Sequence, residues 1–578
     1  MIGITADKSG NGQFFIKGGI AATDKTQDSP SNNFCTINPL HTDPEGTQSN
    51  ATYQEGNLRT STATNSGASS GFQGTFGMTT GKWYWEGIQS GGNVTAAVVG
   101  IGNADESDQI VYFANGQKYV DGNGANYGSS YGTDVVVAAA YDADNLTITF
   151  YRANSSQGAL TSAVTGGEPY FPHGWDGSGS AYSEVNWNFG ADSTFAGEIT
   201  GSANAQDSNG QGDFYYQPPA GYLALCSQNL PEPTVVPWDN FAARLYTGNG
   251  GTAGNITDDV KSFQTSFVWI KSRETDSDRH QLYDVVRGVQ NSLATDDADA
   301  EIVRSTGVTN FNGNGFRISN HVYNGRNTSP YVFWAWRADT VFSNDASATS
   351  VGSADSAGRT NVAAGFSIIS YTGSSGPDTI AHGLGAVPEM IIIKSRTSAQ
   401  EWLVYHHKNT AAPETDYLRL DTTAATADNT FWNDTAPTTA VFSVGDSRPA
   451  NSSHGDAYIA YCWRAVEGYS EFEGYQGNNR TDGPFVYTGF SPSFIMIKNT
   501  SSTNGWMVFD DARGDRVKLS PDTTGDESAV SYIDFLSSGF KLITNHPNVN
   551  GDHTYIYMAF AHSPFKYSNA KTPAGRLQ

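Results

Sequence analysis

Three stretches of this chain are diverged copies of one another, and this repetition limits the fold more than any single motif does. Each copy has an apolar run that ends near a lysine: FVWIKSR at 267–273, MIIIKSR at 390–396 and FIMIKNT at 494–500. A second strand-like run starts 60, 64 and 57 residues after Lys271, Lys394 and Lys498, as YVFWAWRA, YIAYCWRA and YIYMAFAH. A period near one hundred residues is longer than the roughly 20–50 residues of solenoid repeats. Each copy is therefore expected to be a small domain with its own core.

Aromatic residues keep the same register in the three copies. Tyr246, Tyr371 and Tyr475 precede the three lysines by 25, 23 and 23 residues. A second aromatic follows each lysine by 12, 11 and 11 residues, at Tyr283, Tyr405 and Phe509. Five landmarks aligned in three copies predict one β-topology, with the lysines at equivalent positions in modules that begin near residues 241, 366 and 470.

Composition gives the fold class. A chain of 578 residues is too long for one core, and about 100–200 residues per domain predicts three to five domains. The chain has 63 glycines and only 16% charged residues, which is typical of short strands joined by tight turns. No 15-residue window carries a sustained helical stripe of apolar residues. We therefore predict an all-β protein.

Charge and cysteine content exclude several classes of function. The formal net charge of −25 argues against binding to nucleic acid or to an anionic membrane, because both reward lysine and arginine. No run approaches 18 apolar residues, and the start, MIGITADKSGNGQFF, does not have the pattern of a secretory signal. We expect synthesis in the host cytoplasm, no membrane insertion, and buried free thiols at Cys35, Cys226 and Cys462.

The first 230 residues differ from the repeats. Residues 1–50 are polar and rich in turn formers, and we expect an extended arm or docking strand there. Between 51 and 232, strand-like runs include GKWYWEGI, TAAVVGIGN, DVVVAAAYD, NLTITFYRA and SEVNWNFG. YDADNLTITFY predicts a hairpin, since Asp142, Asp144 and Asn145 supply turn chemistry between two strand formers.

The order and spacing of GKWYWE, VGIG, TFYRAN and YFPHG resemble a SPRY domain, a bent antiparallel β-sandwich used for recognition. GYLALCSQNLPEP at 221–233, AHGLGAVPEMIIIKSR at 381–396 and DSPSNNFCTINPL at 28–40 resemble large structural proteins of marine bacteriophages. That second resemblance implies a tail fibre or related virion appendage that binds the host surface as a homo-oligomer, usually a trimer. The first repeat lacks the HGLG element, and the third replaces it with TDGPFVYTGFSPSF.

The expected organisation is an N-terminal arm, a SPRY-like antiparallel β-sandwich and three homologous β-sandwich-like modules. The boundaries are 1–50, 51–232, 233–345, 346–468 and 469–578. We expect a homotrimer, because each Gly-rich module has little apolar area of its own and neighbours supply more. The arm would join other virion proteins of the tail or capsid.

Aromatic residues on turns are the leading candidates for ligand contact. Aromatic faces surrounded by Asn, Asp, Ser and Thr suit sugars, which present C–H patches and hydroxyl groups. Aromatic residues on the repeat-defining strands are better explained by packing. NHVYNGRN and NTFWNDT stand among turn formers, so the predicted ligand-binding residues are Tyr323, Asn324, Trp432, Asn433 and Asp434.

Clusters of acidic residues leave two further readings open. The clusters are Asp296, Asp297, Asp299 and Glu301; Asp142 and Asp144; and Asp510 and Asp511. Ca²⁺ prefers six to eight oxygen ligands, but no cluster has the EF-hand spacing, so solvated turns are favoured over a metal site. Two acids about 5–10 Å apart could also hydrolyse glycosidic bonds.

Nucleophilic catalysis has no sequence support. There is no GxSxG motif, and the doublet His406–His407 occupies the repeat position of Asp510–Asp511, which suggests a solvent-facing strand end. The sequence therefore predicts a virion protein that binds a host glycan or surface protein without catalysis, cofactor or metal. A tailspike-type polysaccharide depolymerase and a purely structural capsid or tail protein are the alternatives.

Overall fold

The computed structural model describes residues 27–567 except 30–31, 42–50, 63–69, 93–95, 105, 162–163, 165, 167, 177–182, 201–203, 251–253, 258–262, 276, 375 and 453–454. The chain divides into two compact units, Met1–Pro231 and Glu232–Gln578. Among the described residues the single α-helix is one turn, Ala346–Thr349, and 3-10 turns lie at Glu55–Asn57, Ser227–Asn229, Pro237–Asp239, Pro413–Thr415, Thr430–Trp432 and Phe565–Tyr567. All other regular elements are strands, so the predicted all-β class is confirmed. Most of the predicted arm, at 1–26, 30–31 and 42–50, lies outside the described residues.

The first unit contains two antiparallel sheets. Its strands are β1 (Ala51–Gln54), β2 (Arg59–Thr62), β3 (Ser70–Gln73), β4 (Lys82–Gly92), β5 (Ala96–Gly102), β6 (Gln109–Phe113), β7 (Gln117–Val120), β8 (Asn123–Asn126), β9 (Val137–Asp142), β10 (Thr147–Arg152), β11 (Ser155–Thr161), β12 (Phe171–Asp176), β13 (Ser183–Asn188) and β14 (Leu223–Ala224). One sheet has the order β1-β2-β13-β4-β9-β10-β11, with β14 parallel to β4. The other has the order β3-β12-β5-β6-β7-β8. The predicted hairpin is confirmed, since β9 and β10 pair from Asp142↔Thr147 onwards.

Part of the predicted arm belongs to the core of this unit. Phe34, Cys35 and Ile37 are buried, and the Cys35 amide donates a hydrogen bond to the Leu225 carbonyl at 2.8 Å. All three cysteines are buried free thiols, as the sequence predicted. Within the described ranges, none of the helices has the length and apolar character needed to cross a membrane.

The second unit carries the three repeats. Its strands are β15 (Phe241–Thr247), β16 (Gly254–Thr257), β17 (Phe267–Ser272), β18 (Gln281–Asp284), β19 (Asn291–Ala294), β20 (Ile302–Val303), β21 (Val308–Asn312), β22 (Gly315–Ile318), β23 (Pro330–Trp336), β24 (Thr340–Asn344), β25 (Ser356–Asn361), β26 (Phe366–Thr372), β27 (Asp378–Ala381), β28 (Met390–Ser395), β29 (Leu403–His406), β30 (Asp416–Arg419), β31 (Ala427–Asp428), β32 (Val441–Val444), β33 (Ala457–Trp463), β34 (Ser470–Gln476), β35 (Phe485–Tyr487), β36 (Phe490–Asn499), β37 (Met507–Asp510), β38 (Gly514–Leu519), β39 (Ser528–Ala529), β40 (Ile533–Leu536), β41 (Gly539–Leu542) and β42 (Thr554–Pro564).

The repeats share one topology. The main sheets have the orders β15-β23-β17-β18-β19-β20, β26-β33-β28-β29-β30-β31 and β34-β42-β36-β37-β38-β39, and the hairpin β24–β25 extends the second sheet beside β26. A smaller sheet accompanies each one: β16-β22-β21, β27-β32 and β35-β41-β40. The three lysines occupy the same position, because Lys271 pairs with Val332, Lys394 with Ile459 and Lys498 with Ile556. The predicted repeat is confirmed, and its apolar runs are buried central strands.

Each main sheet has a core on both faces. Between the main and small sheets each repeat has its own core, containing for example Val268, Ile391 or Ile495. The opposite faces of all three sheets meet in one shared core, to which the repeats contribute Trp269, Trp334, Trp336, Ile392, Tyr461, Trp463, Phe494, Met496 and Phe560. The expectation of three independent cores is therefore incomplete, because one face of each main sheet is buried against the other two repeats.

Backbone and lysine contacts close the repeats into a ring. Glu301 N donates to Arg396 O (2.9 Å), Thr426 N to Thr500 O (2.9 Å) and Glu527 N to Arg273 O (3.1 Å), which links repeat 1 to 2, 2 to 3 and 3 to 1. The buried lysines follow the same cycle: Lys394 Nζ donates to Ala298 O, Lys498 Nζ to Thr423 O and Lys271 Nζ to Thr524 O, at 2.7–3.0 Å. We call this arrangement the repeat ring.

Candidate functional site

A half-buried aromatic cluster lies on the first repeat, beside the small sheet. The rings of His321 and Tyr323 are 5.0 Å apart in an edge-to-face arrangement, and the Arg304 guanidinium lies 5.0 Å from the centre of the Tyr323 ring. Tyr323 N donates to His321 Nδ1 at 3.2 Å, and Arg304 lies 3.3 Å from Nε2. Burial and the arginine lower the pKa of His321 to about 4, so its imidazole is neutral at pH 7. We call this cluster the His321 site.

The third repeat has a cluster at the equivalent position. His321 and His546 correspond, because their carbonyls accept the same turn hydrogen bonds, from Asn324 and Val549. The ring of Tyr532 stacks on His546 with centres 4.6 Å apart, and Asn548 N donates to His546 Nδ1 at 3.2 Å. Burial and Lys518 lower the pKa of His546. This second cluster is the His546 site.

The second repeat has filled the same place with core side chains. Strand register puts Tyr417 at the position of Ser292 in repeat 1 and Lys518 in repeat 3. The Tyr417 ring packs edge to face against Phe431 at 4.7 Å, and both rings are buried. Trp432 packs against Tyr405 at 5.6 Å. The cluster is therefore half-buried and accessible in repeats 1 and 3, and core side chains fill its place in repeat 2.

The residues predicted from the sequence fall into three environments. Tyr323 is half-buried in the His321 site. Asn433 and Asp434 are exposed at a turn with φ values of 52° and 45°. Trp432 is only 2% exposed, and its indole N–H donates to Asp416 O at 3.0 Å, so its ring belongs to the core rather than to the surface.

Asn324 is completely buried, and it replaces apolar residues of the other copies. Tyr246 donates to Asn324 O as Tyr371 donates to Ala450 O and Tyr475 to Val549 O. Within the described residues, nothing hydrogen-bonds the Asn324 side-chain amide. A buried amide without a hydrogen-bond partner destabilises the fold by about 1–3 kcal/mol. Packing alone therefore does not explain an asparagine next to Tyr323.

The sequence did not reveal Arg304, His321, Lys518, Tyr532 and His546. A repeat alignment would have placed His321 opposite His546. The cations could not be found in this way, because Arg304 and Lys518 reach the same region from different strand positions.

The first residue of each doublet, Asp510 or His406, is not solvent-facing, so the expectation was wrong for these two; Asp511 and His407 are half-buried. Strand register makes Asp284, His406 and Asp510 equivalent, and all three are fully buried at boundaries between repeats. Asp284 and Asp510 pair with Arg287 and Arg513 at 2.5 and 2.6 Å.

The acidic cluster that follows β19 is neutralised by arginines. Arg279 forms ion pairs with Asp296, Asp297 and Asp299, and Arg396 pairs with Glu301 at 2.9 Å. Among the described residues no group of three His, Cys, Asp or Glu side chains is arranged to hold a metal ion.

A different group of carboxylates lies where repeat 2 meets repeat 3. Burial and the neighbouring Glu473 and Glu389 raise the pKa of Glu471 to about 8. Burial also raises the pKa of Glu389, which accepts a hydrogen bond from Ala465 N at 2.6 Å. Glu473 is 3.1 Å from Lys408 Nζ. A carboxyl that stays protonated at neutral pH can act as a general acid.

The fold of the second unit defines a three-repeat all-β protein with a shared core. The family model described as a domain of unknown function, DUF7483, matches residues 236–564, which include all three repeats. The chain belongs to this family. No curated protein matches the chain.

Several solved SPRY domains are similar to part of the chain. The SPRY domain of human HERC1 is 16% identical, with 28% of this chain and 96% of that chain covered and a TM-score of 0.21. A human SPRY domain is 18% identical, with 24% and 94% covered and a TM-score of 0.20. The TRIM65 PSpry domain is 11% identical, with 27% and 90% covered and a TM-score of 0.21.

Proposed function

We propose that this protein is a non-enzymatic receptor-binding component of a bacteriophage appendage, such as a tail fibre, and that it recognises a glycan or protein on the host surface. The observation that supports this proposal is the pair of equivalent His321 and His546 sites on one ring. Each has a half-buried tyrosine ring, a neutral imidazole and a cation, which together suit the C–H faces and hydroxyl groups of a sugar.

Two linked copies of the site can bind a repetitive ligand more tightly than one copy can. Linking two weak sites raises overall affinity by about 10² to 10⁴ without any new contact. In the proposed virion the chain forms a homotrimer, and its N-terminal arm joins other tail or capsid proteins. The shared core already gives each repeat its apolar neighbours, so the trimer would use other surfaces.

The test is retention of host-envelope glycan on the purified full chain, with glycan length measured in parallel. We expect retention without shortening, weakened by Tyr323→Ala together with Tyr532→Ala. Tyr222→Ala is a matched control, because Tyr222 also has a cation near its ring, Lys82 at 5.9 Å, but lies in the other unit. Retention that is equal in the site variant and the control would contradict the proposal. If the glycan is neither retained nor shortened, a purely structural virion protein is favoured.

A polysaccharide depolymerase is the second candidate, and the raised pKa of Glu471 favours it. Glu471 would be the general acid, and Glu389 or Glu473 the second carboxylate. This function would be established if the parent protein shortens the glycan, the Glu471→Gln variant does not, and the double tyrosine variant still does.

A further inference from the structure

The two open sites share a charge pattern that is unusual in this acidic chain. Arg304 lies against the ring of Tyr323, and Lys518 is the charged group that acts on His546. Within the parts of the chain that the structure describes, neither cation has a carboxylate at ion-pair distance. Most of the other half-exposed cations do, among them Arg273, Arg279, Arg326 and Arg396.

Two kinds of histidine environment occur in the described part of the chain. His41, His407 and His562 each lie within 4 Å of a carboxylate, whereas His321, His546 and His553 do not. The groups that shift the pKa of His321 and His546 are burial and one cation each, and no carboxylate contributes. Within the described residues, no carboxylate therefore forms an ion pair with the cation or the histidine of either site, in a chain with 58 acidic and 33 basic residues.

The positive charge reaches the same part of each repeat by different routes. Lys518 lies on β38 at the position that Ser292 occupies on β19. Arg304 follows β20, and its Nε donates to Ser292 Oγ at 3.3 Å. The guanidinium in repeat 1 thus lies over the residue whose counterpart in repeat 3 carries the ammonium group. Repeat 2 has Tyr417 there and no open cluster.

We propose that the His321 and His546 sites each bind an acidic sugar, with the tyrosine ring against its C–H face and Arg304 or Lys518 against its carboxylate or sulfate group. This inference rests on the proposed function and narrows it to one ligand class. A cation with no carboxylate at ion-pair distance suits an anionic sugar, because the ligand can supply the negative charge. In the His546 site Nδ1 accepts from Asn548 N, so the neutral imidazole carries its proton on Nε2, which can donate to a sugar hydroxyl.

The proposal can be tested with three oligosaccharides of equal length: one neutral, one uronate-containing and one sulfated. Binding to the full chain is measured by calorimetry at low and high salt. We expect an acidic oligosaccharide to bind at least about tenfold more tightly than the neutral one. Binding of the acidic ligand should fall with salt. The uronate and sulfate arms identify which anionic group the sites accept.

Two variants separate charge from ring. Arg304→Gln with Lys518→Gln should remove about tenfold or more of the acidic-ligand affinity and leave weak neutral binding unchanged. Tyr323→Ala with Tyr532→Ala should weaken both. Lys118→Gln is the control, since Lys118 lies 5.9 Å from the Tyr127 ring outside the repeats. Circular dichroism of each variant checks folding.

The outcomes distinguish this inference from the broader one. If neutral and acidic ligands bind equally and the charge variant has no effect, the acidic-sugar proposal is overturned, while glycan recognition stands. If no oligosaccharide binds, or if the control variant loses as much affinity as the charge variant, both sites lose their assigned role.

Discussion

The Tyr461 hydroxyl donates a hydrogen bond to Asp284 Oδ2 at 2.8 Å, across the boundary between repeat 2 and repeat 1. The equivalent bond at the next boundary runs from Trp334 Nε1 to Asp510 Oδ2 at 3.1 Å. At the third boundary the corresponding residue is Met558, which cannot donate, and His406 replaces the aspartate. His406 instead contacts the Tyr557 carbonyl at 3.1 Å. At the third boundary both the aspartate acceptor and the side-chain donor have therefore been replaced.

Removing one donor should weaken the ring measurably. Tyr461→Phe is expected to lower the free energy of unfolding by about 1.5–3 kcal/mol, because the bond it loses is buried and goes to a charged group. Chemical denaturation of the full chain measures this. Tyr405→Phe provides the comparison, with an expected change within about 0.5 kcal/mol. A loss no larger than that of the comparison would show that the bond contributes little.

An aspartate at position 406, at the third boundary, should destabilise the fold unless a hydrogen-bond donor is restored at position 558. His406→Asp would bury a carboxylate opposite Met558, with Asn409 where the other repeats have an arginine. We expect a loss of about 3–5 kcal/mol in unfolding free energy. Adding Met558→Tyr should recover part of it, with a coupling of about 0.5–3 kcal/mol in a double-mutant cycle. Simple additivity of the two changes would contradict this account.

Glu471 should make stability depend on pH. Its pKa is about 8 in the folded chain and ordinary when unfolded, so the folded state binds more protons between about pH 4.5 and 8. Its contribution therefore decreases as pH rises through that window. Glu471→Gln should flatten the dependence and stabilise the protein at pH 9, on the order of 1 kcal/mol. A variant with the same pH profile as the parent would show that the carboxyl titrates normally.

Trp432 is expected to matter for folding rather than for ligand contact. Trp432→Ala removes a buried ring and a hydrogen bond, so a loss of about 3–5 kcal/mol is expected, similar to that of Trp85→Ala. Thermal or chemical unfolding of both variants checks this. Unchanged stability with lost glycan retention would return Trp432 to the candidate site.

Light scattering tests the homotrimer. A mass near three times 61.8 kDa is expected for the proposed appendage. A single-chain mass at micromolar concentration would contradict it, and would agree with a ring that supplies each repeat with neighbours from its own chain.

The repeat topology could be predicted because apolar strands keep their spacing under strong packing constraints, as the positions of Lys271, Lys394 and Lys498 show. The shared core could not be predicted, since period-two burial on both faces of a strand does not say which partner covers each face. Trp432 was misplaced for a related reason. Its turn-forming neighbours predict a loop, but the 3-10 turn Thr430–Trp432 packs its indole against Tyr405 in the core of repeat 2.

The cyclic order of contacts has a consequence for synthesis. Strand β42 lies between β34 and β36, and its Phe560 enters the core shared with repeats 1 and 2. The first two repeats emerge from the ribosome well before β42, so their inward faces remain exposed to water until the third repeat is translated. Nascent chains that stall before β42 would expose tryptophans such as Trp336 and Trp463, and would depend on a chaperone to remain monomeric.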